Sequence, residues 1–168
     1  MSKMMLKNVR MSFVSVFKRA NFNGEEGKFE CTFLINKETQ ADQIAKVQKA
    51  IEDAKTNAKV KVPADKICLK DGDDFEYDGY AGHMALKLSS NKRPTIIDRD
   101  KAPLIEDDGK CEAGDYANVV FDLWVQNNNY GKRVNGNLYG IQFVKEGERF
   151  GSGAVDVTDD FDDLENEF

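Results

Sequence analysis

Between Tyr116 and Gln126 the chain reads YANVVFDLWVQ. Val119, Phe121, Leu123 and Val125 take every second place, and Asn118, Val120, Asp122, Trp124 and Gln126 fill the places between. A two-residue period sends the first set to one side of an extended strand and the second set to the other. This is the strongest of several such runs. In KFECTFLI, Phe29, Cys31, Phe33 and Ile35 share a face, against Lys28, Glu30 and Thr32. Residues 5–17 alternate for most of their length, with Val9, Met11 and Phe13 inward and Asn8, Arg10 and Ser12 outward. These two runs flank a Gly-Glu-Glu-Gly loop (Gly24–Gly27) and read as an antiparallel pair. HMALKLSS sets Met84, Leu86 and Leu88 inward and His83, Lys87 and Ser89 outward. PTIID (Pro94–Asp98) has the length of a further short strand. LYGIQFV follows YANVVFDLWVQ across the polar run NNNYGKRVNGN, which predicts a long-looped hairpin.

Only one stretch changes period. In residues 39–58, Ile44, Val47, Ile51 and Ala54 fall at helical spacing among Lys and Glu. Thr39 with Asp42 resembles a capping box, and Pro63 ends any continuation. The narrow apolar stripe predicts a helix packed on a sheet from outside. Five or more strands, one longer helix and extended loops predict a mainly β fold, an OB-fold-like five-stranded barrel. A β-sandwich is the alternative that pattern leaves open.

The charge is uneven along the chain. It carries 24 bases and 30 acids, a net of −6. Seven of the acids lie in the last thirteen residues, DVTDDFDDLENEF, which hold no base; residues 1–155 keep all 24 bases against 23 acids, a net of +1. A block of like charge repels itself and has little apolar surface to offset its ordering entropy. The expected organisation is therefore a domain over residues 1–150 and a flexible, disordered acidic C-terminal tail over 151–168. Phe161, Leu164 and Phe168 are interleaved with the acids Asp159, Asp160, Asp162, Asp163, Glu165 and Glu167. Such a segment can occupy the chain's own basic groove, or present Phe168 to another protein.

Several chemistries are poorly supplied. One histidine, with no Gly-x-Ser-x-Gly, gives little for acyl transfer, and neither a P-loop nor a Rossmann glycine pattern is present. No enzyme and no cofactor are expected. DGDDFEYDGYAGH invites a calcium loop, but Phe75 stands where an oxygen ligand is wanted and Gly82 where a glutamate is wanted. A solvated acidic loop is the expectation there, with no metal. Cys31, Cys68 and Cys111 match no zinc spacing with His83 and read as buried reduced thiols. No apolar run suffices to span a membrane, and the N-terminus lacks the apolar run of a signal peptide, so a cytoplasmic protein is expected.

The bases are segregated. The first 24 residues hold Lys3, Lys7, Arg10, Lys18 and Arg19 without an acid, and residues 87–101 hold Lys87, Lys92, Arg93, Arg99 and Lys101 against Asp98 and Asp100. The hairpin loop adds Lys132 and Arg133. If these segments converge, a near-neutral body still presents a basic face. Aromatics stand among the bases: Phe17, Tyr130 and, on the more polar side of its strand, Trp124. Cations that neutralise phosphates, beside flat side chains that stack exposed bases, suit single-stranded nucleic acid. Equally, Phe17 reads as core, Trp124 as either, and the charges as an ordinary solvated surface.

LKNVRMSFVSVF and GKFECTFLI, with YDGYAGHMALKLSSNKRPTIIDRDKAPL and YANVVFDLWVQNNNYGKRVNGNLYGIQFVKEGERFG, resemble a tailed-phage family once catalogued as a domain of unknown function. Its member from an Enterobacter phage is a single-stranded DNA-binding protein with an OB-fold. The likeness spans about Leu6 to Gly151, most specifically at Ser89–Pro94 and Gly140–Arg149. Proteins of this kind also commonly end, as Asp162–Phe168 does, in an acidic tail with a terminal Phe. The resemblance implies a phage replication and recombination protein that coats single-stranded DNA in the infected host cell without sequence choice. The local argument then assigns Arg10, Lys87, Lys92, Arg93, Arg99, Lys132 and Arg133 to phosphates, and Trp124 and Tyr130 to bases. The tail would compete with DNA and recruit a polymerase or primase-helicase, and a homodimer is compatible with the sequence. A strand-annealing recombination mediator and an acidic DNA mimic are the alternatives.

Overall fold

The computed structural model describes residues 3–22, 24–150, 158–162 and 164. The strands are β1 (Met4–Ser15), β2 (Asn21–Phe22), β3 (Glu25–Glu26), β4 (Phe29–Asn36), β5 (Leu69–Asp71), β6 (His83–Ser90), β7 (Thr95–Ile97), β8 (Tyr116–Asn128) and β9 (Gly131–Lys145). Helix α1 (Ala41–Ala58) connects β4 to β5.

The alternating runs close on one another. β1 pairs antiparallel with β4 and with β8, β4 with β6, and β8 with β9. A parallel contact between Ser89 of β6 and Asn137 of β9 completes the ring β1-β4-β6-β9-β8. This order, with one parallel closure, is the OB-fold barrel. β5 shares the edge of β6 with β9, pairing at Leu69–Leu86, and β7 lies parallel to the far part of β9. The inward sets predicted for the strands fill the interior: Val9, Met11, Cys31, Phe33, Ile35, Leu86, Leu88, Val119, Phe121 and Leu123 are buried together. The helical stripe Ile44, Val47, Ile51 and Ala54 is the buried face of α1, and the first three join this core.

Three local expectations are corrected. Phe13 faces outward, because β1 slips register between Ser12 and Ser15 and Phe13 takes a left-handed backbone, φ 49°. The NNNYGKRVNGN run is not a long loop: strand pairing continues to Asn128 and resumes at Gly131, leaving a two-residue turn. Its polar residues stand on a ribbon with solvent around it, so no apolar alternation marks it. The helix is capped at Gln40 without a side-chain cap bond, not by a Thr39–Asp42 box. Asn36 instead accepts from the backbone N–H groups of Glu38 and Thr39, and Gln40 reaches across to the Lys7 and Asn8 carbonyls.

Past β9 the chain is strapped back onto the barrel. Arg149 donates to the buried Asp115 at 2.6 Å, and the Gly147 N–H donates to the same carboxylate. Arg10 donates to the Gly114 and Glu148 carbonyls and lies over the Phe150 ring at 4.2 Å. Phe150 in turn packs against the cluster of Leu34, Tyr80 and Ala85. Beyond it, Asp159, Asp160, Phe161, Asp162 and Leu164 are exposed. Asp163, Glu165, Glu167 and Phe168, named above for the tail, lie outside the described residues. No helix among the described residues is long and apolar enough to cross a membrane.

Candidate nucleic-acid interface

Alternation places Glu30 and Thr32 of β4, Ala85, Lys87 and Ser89 of β6, and Arg133 and Asn135 of β9 opposite the core residues of their strands. Together with Lys70 on β5 they floor a cleft of about 710 Å³ on the outside of the barrel. Lys28 and the segment Asp65–Cys68 also line it. Five bases (Lys28, Lys66, Lys70, Lys87, Arg133) thus meet two acids (Glu30, Asp65) in one depression. The acid paired with Lys87 is Glu30 at 3.6 Å, whose side chain is largely buried, while the Lys87 side chain is exposed and open to an anion on its solvent side. Cys68 also lines the cleft, and burial pushes its thiol up to about 12, which leaves it protonated and unreactive at neutral pH.

Four aromatics form one wall. Phe13 and Tyr77 meet edge to face at 4.9 Å, Tyr77 and Phe75 are stacked at 5.9 Å, and Tyr80 touches all three. Their exposure is graded: Tyr80 is 3 % exposed, Phe13 57 % and Tyr77 54 %. Tyr80 anchors the group, its hydroxyl 3.1 Å from the buried Ser12 Oγ, and desolvation raises its pKa. The loop carrying the wall is held by its own acids. Lys37 bridges Asp71 and Asp73 at 2.6 and 2.7 Å, and Asp73 accepts the Gly82 N–H. These hydrogen bonds from Lys37 hold both carboxyls below the ordinary carboxylate value and raise Lys37. Gly72 allows the closure, since a Cβ there would run into the Tyr80 and His83 carbonyl oxygens. The loop expected to be merely acidic and solvated is therefore tied down at Asp71 and Asp73. Among the described residues no three His, Cys, Asp or Glu side chains gather as a metal group.

The predicted contact residues divide. Lys87 and Arg133 lie in the cleft. Trp124, 39 % exposed, pairs across the ribbon with Asn135 and so stands one strand beyond the cleft floor. Tyr130, 87 % exposed, and Lys132 stand at the tip of that ribbon. Lys92 and Arg93 are exposed just past β6, where Arg93 covers Phe17 at 5.5 Å. Arg19 donates to the Asn91 carbonyl and covers Phe29, fastening this turn beside the Phe29–Ser90 end of the cleft strands. Arg10 and Arg99 do not line the cleft. Arg10 belongs to the C-terminal strap, and Arg99 donates to the Val144 carbonyl beside β7. Sequence reasoning missed Phe13, Phe75, Tyr77 and Tyr80, and the bases Lys28, Lys66 and Lys70. The signal within reach was the cluster of three aromatics in six residues, Phe75 to Tyr80, which the neighbouring acids masked.

A five-stranded OB barrel with a cationic, aromatic-walled cleft on its β4–β6 face belongs to the class whose members hold oligonucleotides or oligosaccharides there. The model of a family described as the Enterobacter phage Enc34 ssDNA-binding protein matches residues 2–168, and the chain belongs to that family. Protein p50 of Acyrthosiphon pisum secondary endosymbiont phage 1 is 34 % identical, over 96 % of this chain and 94 % of its own length. The single-stranded DNA-binding protein of bacteriophage Enc34 superposes with a TM-score of 0.80 at 28 % identity, covering 95 % of this chain and 90 % of that one. Its complex with single-stranded DNA gives the same score over 89 % of each chain. The single-stranded DNA-binding protein gp2.5 of bacteriophage T7 shares the fold, with a TM-score of 0.59 at 14 % identity over 99 % of this chain and 98 % of that one.

Proposed function

We propose that this chain is a phage single-stranded DNA-binding protein that coats DNA without sequence choice during replication and recombination in the cytoplasm of the infected cell. The observation that carries the reading is the cleft, where Lys28, Lys66, Lys70, Lys87 and Arg133 stand on the outer face of β4, β5, β6 and β9 beside an aromatic wall. OB-folds as a class bind oligonucleotides on this face, and the Enc34 protein of the same family is seen in complex with single-stranded DNA, both of which support the reading. Phosphates are held by Lys87 and Arg133 with the three further lysines, and Lys92, Arg93 and Lys132 extend the track at its ends. Trp124 and Tyr130 offer flat surfaces along the β8–β9 ribbon. No base-specific donor set is needed for such binding, because cations and stacking serve every sequence.

Residues 1–150 act in this reading as the binding domain and 151–168 as an appended acidic regulator. Phe150 sits against Tyr80 of the aromatic wall, so the chain leaves the domain beside the cleft. Tethering supplies the acids Asp159, Asp160, Asp162, Asp163, Glu165 and Glu167 at an effective concentration of order millimolar, enough for weak binding to compete with DNA. Displaced by DNA, the segment presents Phe168 to a polymerase or primase-helicase.

The test is a gel shift of the intact chain and of a chain ending at Val155, against single- and double-stranded oligonucleotides over a range of salt. The intact chain should prefer single strands and weaken steeply with salt. The shortened chain should bind more tightly and no longer recruit partners. Absence of single-strand binding at low salt would overturn the function, and unchanged or weaker affinity on truncation would overturn the competition.

A further inference from the structure

The strap that follows β9 ends in a seat shaped for one ring. Phe150 lies under the Arg10 guanidinium at 4.2 Å and against Gly79, where even a Cβ would collide with the ring. Gly79 belongs to the turn that the Tyr80 N–H closes on the Tyr77 carbonyl, and Tyr80 packs with Phe150, Leu34 and Ala85. Two further glycines mark the approach to the seat. A Cβ on Gly114 would run into the Glu148 carbonyl, and one on Gly147 into the Gly114 carbonyl. Backbone this close is held in one place, by Arg149 and Gly147 on Asp115 and by Arg10 on Gly114 and Glu148. The Lys37 bridge to Asp71 and Asp73, with the Asp73–Gly82 bond, ties the loop between β5 and β6 at its two ends. Phe150 and Arg10 meet its middle instead, at the turn whose Tyr77 and Tyr80 border the cleft. None of residues 146–150 lines the cleft, so the strap touches this border only from behind.

We propose that Phe150 and Arg10 are positioning residues for the cleft: seated on Gly79, they hold the Tyr77–Tyr80 turn in the arrangement that receives DNA. The inference rests on the cleft being the single-strand site. It adds that the segment leading into the acidic tail is part of the frame of that site, so that the chain's last ordered ring sets a border it never reaches.

Hydrogen exchange read by mass spectrometry on the full chain, together with binding of a dT20 oligonucleotide, tests this. Phe150→Ala should speed exchange over Gly72–His83 and leave the β8–β9 ladder as in wild type, since only the loop loses its backing. It should weaken dT20 binding roughly 2- to 13-fold for each loop side chain that must then be ordered on binding. The slope of affinity against salt should not change, because no cation is lost. Phe150→Tyr keeps a ring under Arg10 and should restore both readings. Ile51→Ala removes buried apolar contact from α1, far from the strap, and should change neither reading although it lowers stability. The loss of dT20 affinity in Phe150→Ala should be the same in a chain ending at Val155, where the competing acids are gone. Wild-type exchange in Phe150→Ala would overturn the proposal, as would faster exchange with unchanged dT20 affinity. An equal effect of Ile51→Ala would also overturn it, and so would a loss confined to the intact chain, which would belong to the tail. Failure of the wild-type chain to bind dT20 would overturn the cleft reading and the positioning role with it.

Discussion

Cations on this surface fall into two groups that the sequence alone does not separate. Lys87 and Arg133 line the cleft, and the one acid paired with Lys87, the largely buried Glu30, stands 3.6 Å away. Arg10 has its guanidinium on two backbone carbonyls and over the Phe150 ring. The groups should respond oppositely to truncation. Lys87→Ala and Arg133→Ala should each lower the slope of log affinity against log salt by about 0.7, the share of one phosphate on a single strand, with little change in melting. Arg10→Ala should leave that slope alone and lower the melting temperature. Fluorescence titrations at four salt concentrations, with thermal melts, distinguish the two behaviours. Nothing in the one-letter string tells Arg10 from Lys87, since both occupy outward places of alternating strands. The difference lies in the strap that returns to Arg10 more than a hundred residues later.

At the level of elements, strands with one wet face and one dry face were readable, because burial imposes a period of two. Val119, Phe121 and Leu123 fall inward as the alternation requires, as do Leu86 and Leu88. Legibility failed where that constraint is lifted. The β8–β9 ribbon has no core to face beyond Val125 and Val134, so its polar residues read as a loop. The bulge at Phe13 breaks the period by one residue, and pattern matching then carried the ring to the wrong side. The wall loop was hidden by its charge, although two of its acids are structural ties. Those ties have a pH signature. Asp71 and Asp73 are lowered by Lys37, so they contribute stability above the ordinary value of 3.8 and lose it as pH falls through their folded values. Lys37 is raised, so its contribution is present below 10.5 and is lost as pH rises through its higher folded value. A Lys37→Met chain should therefore be less stable than wild type to urea by a constant margin between about pH 5 and 9. The margin should close in acid and again in strong alkali; a margin independent of pH would show that the ties add nothing.

For the molecule as a whole, the barrel and its one helix followed from periodicity, whereas the meeting of distant segments at the cleft did not. Lys28, Lys66 with Lys70, Lys87 and Arg133 come from four separate stretches, and the ring order β1-β4-β6-β9-β8 with β5 at its edge gathers them. Closure also fixes where the chain departs. Asp115, fully buried, receives the Arg149 guanidinium and the N–H groups of Glu112 and Gly147. Asp115→Asn keeps the shape and removes the charge, and should cost about 1.5–3 kcal/mol in urea unfolding, the worth of a hydrogen bond to an ionised group. The strap also decides how a pull on the C-terminus is resisted. Load applied past Phe150 meets the Arg149–Asp115 pair, the Arg10 clamp and the Phe150 ring before it reaches β9. These contacts stand between that end and β9, so they take the load before the ladder of β9 does. A pull on this end is therefore carried first by the strap and only then by the barrel.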